Sequence, residues 1–273
     1  MTIHEKHKRL LEVLKSGGRA LVAFSGGVDS TLLLKVADEA LGDGVLAVTA
    51  VSPTFARHEQ EEAVNLARKL GVRHIMVASD EMDLPEFVIN PEDKCYHCKK
   101  RRFSKLLELC REKGYDIVLD GTNADDHHDF RPGLQAAQDL GVRSPLSEVG
   151  LTKSEIRLLS KQMKLPTWDK PSLACLATRI PCHTPITVEK LKQIDDAETF
   201  IRDMGIARQI RVRHYGATTR IELDEAGLSN IVDSSVRGKV VDYLKTLGFQ
   251  FITLDLAGYR MGSLNPTDAE GDD

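Results

Sequence analysis

The chain has 273 residues, with 37 Lys and Arg against 41 Asp and Glu, a formal net charge of -4 and 41% hydrophobic residues. That length buries a sizeable core in one large domain or two moderate ones. The charge gives no support to a protein that coats nucleic acid, and no apolar run reaches membrane-spanning length. Five cysteines, an odd number in a chain this long, do not form the pattern of a secreted disulfide scaffold. The expectation is a cytoplasmic protein with thiols available for chemistry or metals.

Residues 1–14 mix charges with Ile3, Leu10, Leu11, Val13 and Leu14, which predicts an amphipathic helix and not a signal peptide. Residues 19–24 read as a buried strand and residues 31–37 as a helix, with Ser25-Gly26-Gly27-Val28-Asp29-Ser30 between them. A second strand is expected over 44–51, a helix over 58–70 and a third strand over 73–78. A helix over 99–113 and a strand over 116–119 follow. Alternating strands and helices imply a parallel sheet covered on both faces, with ligands beyond the C-terminal strand ends. The loops there are 25–30, 52–54 and Asp120-Gly121-Thr122-Asn123, and the first two are expected to hold a nucleotide. Residues 133–141 and 152–165 read as helices, the second with a capping box at Thr152-Lys153-Ser154-Glu155. Prolines at 166, 171, 181 and 185 mark an irregular connector. Beyond it come a helix over 188–204, strands over 209–215 and 218–223, a helix over 235–247 and a strand over 250–255. The change of order places a domain of residues 1–170 before a smaller α+β domain of residues 171–273, whose acidic tail from Asn265 is expected to fray.

The loop after the first strand carries the clearest chemistry. A strand, a glycine turn and a helix N-terminus form an anion site, because backbone N–H groups and the helix dipole both favour negative charge. Gly26 and Gly27 let the backbone approach a phosphate, and Ser25 and Ser30 add hydroxyls. Asp29 would repel a phosphate unless a cation intervened, so it reads as a ligand to magnesium carried by a nucleotide. The loop is neither a Walker A sequence nor a dinucleotide fingerprint. It resembles the PP-loop of ATP pyrophosphatases, which implies cleavage of ATP between the α- and β-phosphates with adenylation of a substrate oxygen.

Cys95-Tyr96-His97-Cys98 stands just before the expected helix at Lys99, and Cys175 lies in the connector. Cys110 falls among Leu106, Leu107 and Leu109 and reads as core. A Cys-x-x-Cys pair serves as a redox dithiol, half a zinc site or part of an iron–sulfur site. A thioredoxin-like context and a second close cysteine pair are both missing, although Cys182-His183 could complete a zinc site. Three cysteines in two segments suggest a cluster with one open iron that holds an exogenous ligand such as hydrosulfide. Asp125-Asp126-His127-His128-Asp129 has a metal-binding composition and is also compatible with a polar loop.

Taken together, the loop at 25–30, Asp120-Gly121, Asp129-Phe130-Arg131-Pro132-Gly133-Leu134, Cys175 with Thr178-Arg179, Arg211-Val212-Arg213, Arg220-Ile221-Glu222-Leu223 and Leu254-Asp255-Leu256-Ala257-Gly258-Tyr259-Arg260 resemble the LarE family over residues 15–265. The resemblance implies an ATP-dependent sulfur transferase. Its substrate would be pyridinium-3,5-biscarboxylic acid mononucleotide, activated by adenylation and converted to a thiocarboxylate for the nickel-pincer cofactor of lactate racemase. It also implies catalytic roles for Cys175 and Asp29, and ATP binding by Ser25, Gly26, Gly27, Asp29, Ser30 and Gly121. Arg211, Arg213 and Arg179 would contact the substrate phosphate. One branch of the family gives up the sulfur of a single cysteine, here matched by Cys175. Another binds a [4Fe-4S] cluster through three, and Cys95, Cys98 and Cys175 place this chain there. The implied cofactors are ATP, Mg2+ and the cluster, and the implied assembly is a homo-oligomer, with a hexamer as the suggested form. By residue type alone, Arg211 and Arg213 share one side of a strand and are compatible with a solvated face. Glu198, Glu222, Arg131 and Lys99 are compatible with surface roles as readily as with a site.

Three other functions fit parts of the pattern. A tRNA thiolase shares the loop and the three-cysteine logic, but the -4 charge and short second domain argue against a nucleic-acid partner. An adenylating enzyme that delivers ammonia leaves the cysteines without a role. A non-catalytic nucleotide-binding protein would bind ATP without releasing pyrophosphate.

Overall fold

The computed structural model describes residues 1–128, 132–172 and 174–260. The chain divides into two units, Met1–Leu173 and Ala174–Asp273. In the first unit the order is α1 (Ile3–Ser16), β1 (Ala20–Ala23), α2 (Val28–Leu41), β2 (Val45–Val51), α3 (Arg57–Leu70), β3 (His74–Ala78), α4 (Pro85–Val88), α5 (Lys94–Glu112), β4 (Ile117–Leu119), α6 (Pro132–Asp139), α7 (Pro145–Glu148) and α8 (Lys153–Gln162).

The four strands form a parallel sheet in the order β3-β2-β1-β4. Period-2 alternation assigns its faces. Ala20, Val22, Val45 and Ala47 pack with Leu32, Leu33 and Val36 of α2, Ala63 and Ala67 of α3, and Ile156 and Leu159 of α8. Leu21, Leu46, Val48 and Val118 pack with Phe103, Leu106 and Cys110 of α5. Covering both faces explains why these strands read as almost continuous apolar runs. Strand order reverses on either side of β1, so the crevice beyond β1 and β4 is the topological switch point of the sheet.

In the second unit, a 3-10 turn (Leu176–Arg179) precedes α9 (Val188–Asp203), β5 (Ile210–Tyr215), β6 (Thr218–Leu223), α10 (Glu225–Ile231), α11 (Ser234–Thr246) and β7 (Phe251–Leu254). β5 pairs antiparallel with β6, which pairs parallel with β7. Val212 and Ile221, opposite each other in register, join Ala197 and Ile201 of α9 and Val240 and Leu244 of α11 in one apolar core. Their neighbours Arg211, Arg213, Arg220 and Glu222 therefore share the other face of the sheet.

Two elements differ from expectation. α5 starts at Lys94, five residues before the predicted start, so Cys95 and Cys98 lie within the helix and not ahead of it. Lys94-Cys95-Tyr96-His97-Cys98 has no apolar periodicity. Its helix instead grows from a tight turn in which Lys94 N–H donates to Pro91 O at 3.2 Å and Tyr96 N–H to Asp93 O at 2.7 Å. α10 had no apolar stripe to reveal it and starts on an Asp224 cap, whose carboxylate accepts the Gly227 N–H at 2.9 Å. No helix among the described residues is long and apolar enough to cross a membrane.

Candidate active site

Residues 25–27 join β1 to α2, and no side chain caps the N-terminus of that 14-residue helix. Four dipole-aligned N–H groups and a loop lead into it, the arrangement that accepts a phosphate. The loop is braced from within. Ser25 Oγ and Ser30 Oγ stand 3.1 Å apart, Ser30 Oγ accepts the Ser25 N–H at 3.3 Å, and Thr31 Oγ1 donates to Gly27 O at 2.7 Å. Gly121, just past β4, lies directly against the start of α2. A Cβ there would stand 3.0 Å from Ser30 N, so glycine is needed for the two loops to meet. Gly26 faces Ala63 of α3 and takes Lys170 Nζ on its carbonyl at 3.1 Å. The predicted nucleotide-binding residues Ser25, Gly26, Gly27, Asp29, Ser30 and Gly121 thus come together at the switch point.

Asp29, in the first turn of α2, accepts Lys153 Nζ on Oδ2 and Asn123 Nδ2 on Oδ1 at 3.4 Å. Lys153 is presented there because the capping box at Thr152 starts α8 one residue earlier. Lys170 Nζ also pairs with Glu62 at 2.7 Å. These two lysines and Asn123 were not picked out by residue pattern. The signal for Lys153 was its place in a capping box, which was read for structure alone.

At the end of β2, Ser52 Oγ and Thr54 Oγ1 both donate to the fully buried Glu81, at 2.5 and 2.7 Å. Burial alone would raise the Glu81 carboxyl. The charge of Arg102 and hydroxyl donors from Ser52, Ser79 and Thr54 hold it below the usual glutamate value. Arg102 Nη2 stands 3.3 Å from Glu81 Oε1 and 3.1 Å from Cys98 Sγ, and its guanidinium lies 4.4 Å over the Phe55 ring. Cys98 is buried and Cys95 exposed. Three positions apart on α5, their side chains share one helical face. A thiol pair one turn apart, with an N–H donor on one sulfur, fits the donor chemistry of an iron–sulfur cluster. Among the described residues, no group of three or more His, Cys, Asp or Glu side chains forms a metal site. Cys110 is core, as expected, and burial raises its thiol. Lys99 lays its alkyl stem against Gly133 of α6. Asp129, Phe130 and Arg131, the side chains of His127 and His128, and the tail from Asn265 lie outside the described residues.

The second unit holds Cys175, Cys182 and the predicted anion-binding arginines. Cys175 is partly exposed and precedes the 3-10 turn, and its carbonyl accepts Thr178 Oγ1 at 2.7 Å and Arg179 Nη1 at 3.1 Å. Cys182 is also partly exposed. Arg179 grips Glu198 of α9 with two bonds of 2.9 and 3.1 Å. Glu198 also takes the Val212 N–H of β5 at 2.9 Å. Arg213 grips Glu222 in the same two-pronged way, at 2.9 and 2.7 Å, and reaches Thr178 O at 2.9 Å. Arg220 adds a bond to Glu222 at 3.0 Å and lies 3.6 Å from Asp255. Arg211 Nη1 donates to Ile210 O at 2.8 Å, and its guanidinium lies 5.0 Å over the Tyr259 ring. Burial first, then the charge of Arg179, lower the Arg211 pKa. The solvated-face alternative for Arg211, Arg213, Glu198 and Glu222 is therefore overturned, since all four are buried. The turn at 176–179 lies against β5 and covers a sheet face that the sequence pattern left open.

Residues 12–147 match the asparagine synthase family model. The chain is 42% identical to an uncharacterized protein of Synechocystis sp., over 96% of this chain and 98% of that one. It is 37% identical to the pyridinium-3,5-bisthiocarboxylic acid mononucleotide synthase of Lactiplantibacillus plantarum, over 97% of this chain and 96% of that one. It is also 31% identical to one component of the glutamine-hydrolyzing GMP synthase of Methanococcus maripaludis, over 86% of this chain and 77% of that one. An α/β sheet with a PP-loop at its switch point, and similarity along nearly the whole length of the Lactiplantibacillus synthase, make this chain an ATP-dependent enzyme of the LarE family.

Proposed function

We propose that the enzyme adenylates a carboxylate of pyridinium-3,5-biscarboxylic acid mononucleotide and replaces AMP with sulfur, giving a thiocarboxylate. The observation that carries this reading is the 37% identity to the synthase over 97% of the chain, which takes in the arginine-bearing second unit as well as the nucleotide-binding one. A carboxylate is a poor electrophile. Its oxygen attacks the α-phosphorus of ATP, pyrophosphate leaves, and the acyl carbon gains AMP as a leaving group. Sulfide then adds to that carbon and expels AMP. The uncapped end of α2 and the loop around Ser25 and Ser30 receive the pyrophosphate, and Asp29 supplies the carboxylate suited to a nucleotide-borne Mg2+. Arg211, with Arg179 and Arg213 beside it, takes the substrate phosphate.

Cys95, Cys98 and Cys175 would hold the [4Fe-4S] cluster, whose open iron supplies a site for exogenous sulfide when the cluster is bound. Cytoplasmic location and a homo-oligomeric state belong to the same proposal. The partial exposure of Cys175 favours one second reading, direct donation of its own sulfur. An ammonia-delivering reading, which the similarity to GMP synthase would suggest, gives the cysteines no task.

Anaerobic purification with iron and sulfide analysis tests the carrier. The cluster reading expects about four irons per wild-type chain and loss of iron in Cys95→Ala, Cys98→Ala and Cys175→Ala alike. Stoichiometric zinc without iron sinks it. Loss of one sulfur mass at Cys175 after turnover supports the second reading instead.

A further inference from the structure

The motif at residues 254–260 is a built turn. Asp255 N–H donates to Ile221 O at 2.9 Å, Asp255 Oδ1 accepts the Ala257 N–H at 2.9 Å, and Gly258 N–H returns to Asp255 O at 3.1 Å. Gly258 has φ 70°, and a Cβ there would stand 3.0 Å from Leu223 O, so glycine alone closes the turn without strain. The next residue, Tyr259, is fixed by its N–H on Leu223 O at 2.8 Å. The two bonds that tie this turn to the sheet end on β6, the strand paired in register with β5, where Arg211 stands opposite Glu222. The turn delivers one aromatic ring to one guanidinium, 5.0 Å from ring centre to Arg211 Cζ.

Arg211 sits in a costly place for a cation. It is 9% exposed, and Arg179 is close enough to disfavour its charge. Around it, the four guanidiniums of Arg179, Arg211, Arg213 and Arg220 face the three carboxylates of Glu198, Glu222 and Asp255. Two of those carboxylates are gripped by the two-nitrogen forks of Arg179 and Arg213. The named groups thus carry one surplus positive charge. An aromatic face is an uncharged way to hold a guanidinium in such a setting, and it fixes the plane of the fork with which arginine meets a phosphate.

We propose that Tyr259 is the positioning residue of the substrate-phosphate subsite: its ring orients the Arg211 guanidinium to receive the phosphate of a pyridinium mononucleotide. This rests on the phosphate reading of Arg211 given above.

Calorimetry on the full chain, with nicotinamide mononucleotide and inorganic phosphate as probes, tests it. Tyr259→Phe, which keeps the ring, should bind the mononucleotide within about twofold of wild type, and Tyr259→Leu about tenfold more weakly. In turnover, Tyr259→Leu should raise KM and leave kcat unchanged. Added to Arg211→Met, it should weaken binding no further. Tyr259→Met is a second ring-free variant should the leucine variant misfold. Wild-type affinity in both ring-free variants overturns the role of Tyr259 and leaves the phosphate reading standing. A phenylalanine variant as weak as leucine overturns the ring contact in favour of the hydroxyl. Wild type that binds neither probe, or that binds both no better than Arg211→Met, overturns the phosphate reading and this inference with it.

Discussion

Lys153 reaches back across 124 positions of sequence to place its ammonium on the carboxylate of Asp29 in the first turn of α2. The pair joins the two signs of charge that a magnesium nucleotide needs at this loop. When Mg2+ and ATP arrive, the carboxylate suits the metal and the ammonium suits a phosphate oxygen. Lys153→Met should therefore lower ATP-dependent pyrophosphate release about 100-fold, the scale of losing one charge-stabilising donor, with the far-UV circular dichroism unchanged. Asp29→Asn should act in the same direction. The double variant should be little worse than the weaker single one, because the two groups serve one bound nucleotide. A Lys153→Met enzyme with wild-type pyrophosphate release would refute this.

Arg102 links the end of β2 to the cysteine pair. It stands 3.3 Å from the fully buried Glu81 and 3.1 Å from Cys98 Sγ. Arg102→Met leaves the Glu81 carboxylate buried without its cation and should cost about 3 kcal/mol in urea unfolding. Adding Glu81→Gln should recover most of that loss, since a neutral amide needs no counter-charge. Iron loading should stay impaired in the double variant, because the N–H donor to Cys98 is still missing. Full recovery of iron together with stability would detach Arg102 from the cysteine chemistry.

Much of this was legible in the residues. The loop at 25–30 could be read because it needs no distant partner: a buried strand, two glycines and a helix start identify it locally. Gly121 was legible for the same reason, as the turn after another apolar strand. Lys153, Lys170 and Arg102 were not, because each becomes meaningful only through a contact far away in sequence, with Asp29, Gly26 and Glu81. The arginines of β5 were found but their state was not. Alternation puts Arg211 and Arg213 on one face, yet it cannot say that the turn at 176–179 lies against that strand. Burial turned a plausible solvent face into a set of two-pronged ion pairs. The start of α5 was missed for a related reason, since its first turn is set by Pro91 and Asp93 and not by periodicity.

Glu198 gives the second unit a defined acid response. Burial alone would raise its carboxyl, but the charge and bonds of Arg179, the charge of Arg211 and the Val212 N–H hold it below the usual glutamate value. The unfolded chain therefore binds a proton at a higher pH than the folded one. Stability from this group is complete above the ordinary glutamate value and is lost as pH falls through the lowered folded value. Denaturant melts from pH 7 down to about pH 3 should show unfolding becoming easier with acid. Glu198→Gln should remove its part of that slope while lowering stability at pH 7, because Arg179 loses its carboxylate. Arg179→Met should be worse at pH 7, by about 3–5 kcal/mol, since it strands a buried carboxylate. Protonating Glu198 relieves that penalty, so the Arg179→Met deficit should shrink on acidification. A deficit constant across the pH range would mean that Glu198 is not the group that responds.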